Sequence, residues 1–480
     1  MIQWGFLSLM HSAHAQPLIE RERPSSSVST QQEGELDYIL ERIEIKGDTK
    51  TLGQVIRSYF PRIGKKLNMD HKSLQKARYQ LLTTGFFRDV QFVLQRGSQR
   101  GYVILTVYVS ERNTLIIQDV WLGFSRYAAS DGTAQPFTLY GGIEGGETNL
   151  MGTGMGLGGA LAGAQDQIAF RTRFSYPRAF GTPWMFEAQV GYNGAQEYVT
   201  ATSPLGDRST SSQLLDTPLS YKRSGGEGVI GQAISSFSRL LLQYRLEGID
   251  ANLPEENRGN LINNKLIAGK SILSACGVSW VLDTRDDPFL PTKGEWISAH
   301  ALLSTSWIGS SYQFIKVDVR ASRWFVLPWK HIFRVDGIMG LIEGEAPIFE
   351  NFYVADFTDL LPHRVLDLNF DRRSSPNLLG TSIETMRYGE YAGKLNIQYR
   401  WPIYRGHRSI YGVDLFGSTG VYTVIDPEIV KKSMEHYRGI NRVPIDFTFN
   451  FGLQMDTVAG GFTFGLSNFV GLVPFPSGSL

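Results

Sequence analysis

The densest group of reactive side chains is the stretch RDDPFLPTKG, residues 285–294, in which Arg285 stands beside the carboxylates of Asp286 and Asp287. Two adjacent acids next to a base can hold a divalent cation or move a proton. The surrounding residues point elsewhere. Pro288 and Pro291 lack amide donors and Gly294 tolerates a positive φ, so the segment reads as a turn that stops one strand and starts the next. Asp286 and Asp287 then cap local amides or pair with Arg285.

The remaining reactive residues offer no better centre. His11, His14 and His71 lie apart from His300, His331, His363, His407 and His436, and none sits in a catalytic motif. A GxSxG elbow, a Walker loop and an HExxH helix are absent, so an enzyme is not expected. The single cysteine, Cys276, excludes an intramolecular disulfide framework and a cysteine-based zinc site. No cofactor or metal is expected. Forty-seven basic against 46 acidic residues leave a formal charge of +1, which gives no reason to expect nucleic acid as a partner.

The elements that would carry these residues change period along the chain. Residues 1–15, with an apolar run and a small-x-small pattern at AHA, read as the remnant of a signal peptide whose start is missing or misassigned. Residues 16–35 form a polar linker too poor in apolar side chains to fold. From 36 to 112 the order is strand, two helices, two strands: ERIEIKG alternates, Leu52, Val55, Ile56 and Phe60 recur at helical spacing, a second helix stops at Gly85, and FFRDVQFVLQRG and YVILTVYVSER alternate again.

Residues 113–475 alternate with period two. Ile315, Val317, Val319, Phe325 and Leu327 share one face, opposite Lys316, Asp318, Arg320 and Ser322. The same division recurs in QIAFRTRFSY, RLLLQYRLEG, KLNIQYRWPI and IDFTFNFGLQM. Strands of soluble sandwiches are usually about five or six residues long, whereas these run to about ten to sixteen, the length of a tilted strand crossing hydrocarbon. Trp184, Trp324, Trp329, Trp401 and Tyr404 fall near strand ends as interface anchors. Only a sheet closed on itself satisfies backbone groups in lipid. The charged face, including Arg171, Arg173, Arg245, Glu247, Lys316, Asp318, Arg320, Arg334, Asp336, Lys394, Arg400 and Asp446, then lines a lumen, and Cys276 faces lipid. The fold class is therefore mainly β, a transmembrane antiparallel barrel of about 16 strands preceded by one α+β unit. Its pattern breaks at 344–391, between eleven strand-like segments and four more, and a connection of that length is usually functional or disordered.

At this point the sequence resembles the BamA/TamA-type superfamily of outer-membrane assembly and translocation barrels. LERIEIKGDTKT, RYQLLTTGFFRDV and VILTVYVSER are similar to a POTRA domain; ETNLMGTGMGLGGALAG, RFSYPRAFGTPW and WVLDTRDDPFLPTKGEW are similar to barrel strands and turns of that family. The resemblance implies that the long loop folds into the lumen and presents an arginine to carboxylates on the wall. Arg364 is the best match, with Arg387 in ETMRYGEY the alternative; neither stands in the family's Arg-Gly-aromatic form. On the wall, Ser418 occupies the position where the family often has aspartate, and Asp414, on the same inward face, could take the arginine instead. Asp446 and Asp456 on the neighbouring strand are further partners. The C-terminus also departs, with one more strand after Gly460 and then a polar tail.

The function this resemblance implies is an outer-membrane assembly factor, its α+β unit in the periplasm and its first barrel strand, around Thr114 to Phe124, templating client strands by β-augmentation. Its partners are then unfolded outer-membrane protein clients, outer-membrane lipids, and accessory lipoproteins or periplasmic chaperones. The alternatives are a translocator that secretes a partner protein through the lumen and a passive diffusion channel.

Overall fold

In the computed structural model the residues described are 38–47, 50–67, 71–125, 138–164, 166–199, 217–252, 266–287, 289–353, 364–366, 368–369, 388–406, 409–427 and 445–467. The assigned signal remnant and linker, residues 1–35, lie outside them, as do Pro288 and Arg387.

The first unit runs β1 (Tyr38–Lys46), α1 (Gly53–Arg57), β2 (Lys66–Leu67), α2 (His71–Thr83), β3 (Phe87–Arg96) and β4 (Tyr102–Glu111). Its sheet has the order β2-β1-β4-β3, with β1 and β4 parallel. The helical and alternating patterns meet in one core, where Leu40, Ile56, Leu81, Val90 and Leu105 are fully buried. Each such side chain contributes about 1.5–3 kcal/mol. The observed order adds the two-residue β2 to the expected strand, two helices and two strands.

Eleven consecutive antiparallel strands follow. They are β5 (Leu115–Ser125), β6 (Thr138–Glu147), β7 (Gly156–Ala164), β8 (Gln167–Tyr176), β9 (Trp184–Val199) and β10 (Thr217–Ala233). Next come β11 (Ser238–Asn252), β12 (Gly269–Asp283), β13 (Gly294–Ser304), β14 (Gln313–Val326) and β15 (Ile332–Glu345). The long connection contributes four two-residue strands, β16 (Phe352–Tyr353), β17 (Arg364–Val365), β18 (Leu368–Asn369) and β19 (Tyr388–Gly389). The wall resumes with β20 (Tyr391–Arg405), β21 (Ile410–Ile425), β22 (Ile445–Thr457) and β23 (Gly460–Ser467).

β15 pairs directly with β20, so the wall is a single 15-stranded sheet from β5 to β23. Its outer face is oily: on β11, Leu240, Leu242, Tyr244 and Leu246 are exposed, while Arg245 and Glu247 turn inward. Bare leucines on the outside and ion pairs within are the reverse of a soluble sheet and fit a lipid surround. Cys276 is on the outer face, as its parity requires. Trp184, Trp329, Trp401 and Tyr404 are exposed there too. Trp324 is not an outer anchor: it shares the inward parity of Lys316 and Asp318, is buried, and lies under the Arg285 guanidinium at 5.9 Å.

Candidate functional site

RDDPFLPTKG is a structural corner. Asp286 accepts the amides of Thr292 and Lys293 at 2.8 and 3.1 Å, and Asp287 those of Phe289 and Leu290 at 2.7 and 3.2 Å. Gly294 takes φ 106°, a region that favours glycine. Arg285 turns back onto Asp283, at the end of the preceding strand, at 2.8 Å. Pro291 offers its carbonyl to Arg400 inside the lumen.

The corner also projects Phe289 into the first unit, where it packs beside Gly85 and under the Arg112 guanidinium at 3.8 Å. Arg112 lies over Tyr411 as well, at 4.8 Å, and forms a two-pronged pair with Asp456 on β22. Other turns at this mouth meet the same unit. Thr51 accepts from the Asn149 amide at 2.8 Å, Leu52 N donates to Gly152 O at 2.8 Å, and Arg178 donates to Ser58 O at 2.6 Å. Tyr79 donates to Asp283 O at 2.6 Å and packs on Phe237 at 4.8 Å. The unit therefore lies across the mouth, held by turns from both halves of the sheet. Burial pushes the Tyr59 phenol up to about 12, against the opposing pull of Arg178, whose own pKa is lowered by burial. Burial also raises the Tyr79 phenol, so both hydroxyls stay neutral donors at ordinary pH.

Inside the lumen the long connection docks on the wall. Ile348–Glu350 forms a single tight turn after β15. The Glu350 carboxylate meets Arg245 of β11 at 2.7 Å and Lys316 of β14 at 3.1 Å, and the Lys316 ammonium also donates to the Glu350 carbonyl at 2.8 Å. Arg245 and Arg223 of β10 share Glu247, at 2.7 and 2.9 Å. Phe349 lies under Arg223 at 4.0 Å and against Tyr221 at 5.3 Å. Phe352 fills the place where a Cβ on Gly340 would stand, 2.2 Å from its ring, so only glycine admits it. About 300 Å³ of open space adjoins this clasp, beside Arg171 and Gln189.

Further along, Arg364 begins the β17–β18 hairpin, paired with Asn369, and Leu368 is buried in the cluster that includes Ala162, Ala169 and Tyr221. Asn193 of β9 donates to the Leu366 carbonyl. This hairpin stands half the sheet away from β21 and β22, which carry Asp414, Ser418, Asp446 and Asp456. Among the described residues, the partners of Asp414 are two wall arginines of β20: Arg405 at 2.5 Å and Arg400 at 3.7 Å. Ser418 accepts from Asn450 at 3.0 Å, Asp446 accepts the Phe447 amide at 2.8 Å, and Asp456 holds Arg112. Sequence reasoning missed Glu350, Arg223, Arg405 and Arg112. Arg223 shares the inward parity of Tyr221 on β10, Arg405 has the opposite parity to the buried Arg400 and reaches Asp414 past the register shift between Pro402 and Tyr404, and an acid between two phenylalanines was the one signal at Glu350.

Among the described residues the sheet does not close into a ladder. β5 and β23 are its two ends, and the bonds seen between them lie at the turn-side corner: Ile117 N to Ala459 O at 2.9 Å, and the Asn113 amide to Val458 O at 3.1 Å. Gly460, at φ 134°, allows this approach; a Cβ there would stand 2.5 Å from the Ile117 carbonyl. Along the rest of the seam the two strands carry no mutual ladder among the described residues.

Residues 149–359 match the Omp85 superfamily domain. Among solved structures, BamA of Haemophilus ducreyi lacking POTRA domains 1–3 superposes with a TM-score of 0.51 at 14% identity, covering 90% of this chain and 80% of that one. CdiB of Escherichia coli superposes at 0.55 with 12% identity, covering 90% and 73%. No curated protein sequence matches.

Proposed function

We propose that the protein, whose residues 149–359 match the Omp85 superfamily domain, handles unfolded polypeptide at the outer membrane as an assembly factor that inserts outer-membrane protein clients. The observation that carries this reading is the seam. An edge strand with unpaired donors and acceptors is a liability in a finished barrel and a template for an incoming strand. Among the described residues β5 ends the sheet, and its bonds to the other end lie at one corner, at the β22–β23 turn. A client strand pairs with it by β-augmentation, and the client sheet grows there until it closes on itself.

In this reading the first unit, similar in sequence to a POTRA domain, lies in the periplasm, and the exposed side of its edge strand β3 receives extended client segments from chaperones or accessory lipoproteins. No covalent step and no cofactor are required. Secretion of a partner through the lumen, or passive diffusion, would need both the docked loop and the unit across the mouth to leave, which counts against either as the resting activity.

The test is reconstitution in liposomes, in a Cys276→Ser background, with Ile117→Cys and Ala459→Cys added to bridge the seam. The parent should accelerate folding of an unfolded barrel client, the bridged form should not, and reduction should restore it. Acceleration that survives the bridge, or none at all alongside a steady open-pore conductance, overturns the proposal.

A further inference from the structure

We infer that Arg223, Arg245 and Lys316 form a carboxylate-binding groove whose resident ligand is the chain's own segment Ile348–Phe352, and that an acidic segment flanked by aromatic residues from another polypeptide displaces it. The groove is built from three different strands: Arg245 of β11 and Lys316 of β14 hold the Glu350 carboxylate, while Arg223 of β10 holds Glu247 and lies over the Phe349 ring. The three cations are only 6–20% exposed, and Glu350 is the acid that the loop adds to the wall carboxylates Glu247 and Glu227 beside them.

The groove reads more than charge. The aromatic residues on either side of the acid are each placed by the wall, Phe349 by Tyr221 and Arg223, Phe352 by the notch at Gly340 and by Lys316 at 5.5 Å. Lys316 also holds the Glu350 backbone carbonyl, so the groove recognises a peptide and not a free carboxylate alone. The ligand class is therefore a turned segment of the form aromatic, acid, any residue, aromatic.

Two features make the resident segment exchangeable. Asn351, within it, is 2% exposed with neither side-chain polar atom bonded among the described residues, which weakens the docked state. The adjoining cavity of about 300 Å³ gives a second segment room to enter beside the first. A displacing segment would come from a client, so that part rests on the function proposed above; the occupied groove does not.

The experiment uses the full chain in planar bilayers and two hexapeptides, IFENFY, which copies residues 348–353, and the same peptide with glutamine for glutamate. Glu350→Gln should raise open-state conductance several-fold by releasing the loop, and the double change Lys316→Glu with Glu350→Lys should restore the parent level. IFENFY should close the Glu350→Gln pore, with the glutamine peptide at least about tenfold weaker. Parent-like conductance in Glu350→Gln overturns the lock. Equal action of the two peptides, or none, overturns the carboxylate groove. Either failure leaves client folding by the parent protein untouched, so it is distinguishable from failure of the assembly reading.

Discussion

Two charge clusters of the wall differ in what they join. Arg400, Arg405 and Asp414 belong to the neighbouring wall strands β20 and β21, so their attraction fastens wall to wall. Arg245 and Lys316 belong to the wall, but the carboxylate they hold, Glu350, belongs to the loop. The same chemistry thus stiffens a barrel in one place and parks a detachable segment in the other. A buried pair costs nearly as much in desolvation as it returns, while stranding one partner is expensive, so such clusters report on geometry more than on stability.

The largest effect is expected at the fixed cluster. Asp414→Ala leaves the Arg400 side chain, 2% exposed, without its counter-charge, and should cost about 3–5 kcal/mol, read as a lower urea midpoint at unchanged slope. Glu350→Ala should cost the barrel less, about 1–3 kcal/mol, because water can enter the adjoining cavity. Its signature is local: hydrogen exchange should rise at Phe349–Tyr353 before the strands open. Equal midpoint losses in the two variants would erase the distinction. Gly340→Ala sharpens it further, since the new methyl collides with Phe352 and should weaken loop docking by about 1–3 kcal/mol while sparing the Asp414 cluster. Tyr79→Phe is the smallest change. It removes the bond to Asp283 O at the mouth, should cost about 0.5–1.5 kcal/mol, and should leave exchange in both lumen clusters unchanged.

Much of this was legible in the sequence, for a geometric reason. A strand's side chains alternate, so parity alone assigns a face, and it places Asp414 inside the lumen, where it lies fully buried. Parity also assigns Trp324 inward; weighing its nearness to a strand end above its parity produced the wrong face. What parity does not carry is register. Arg405 reaches Asp414 across a ladder that shifts between Pro402 and Tyr404, and one slipped residue changes every cross-strand neighbour. Glu350 lies in APIFENF, outside any periodic run, so its place depends on a tertiary path that local pattern does not encode. RDDPFLPTKG was readable as a turn from its prolines and glycine, but the use of Phe289 as a contact for the first unit depends on where that unit docks.

The join between β4 and β5 is only three residues long, Arg112 to Thr114, and two of the three are tied to the far end of the sheet. There is no slack there to absorb movement. A rotation of the first unit would therefore arrive at β5 as torque and at the β22–β23 turn as an opposing pull, on the two strands that flank the seam. Load applied to the first unit would be delivered, by stiffness alone, to the seam between β5 and β23.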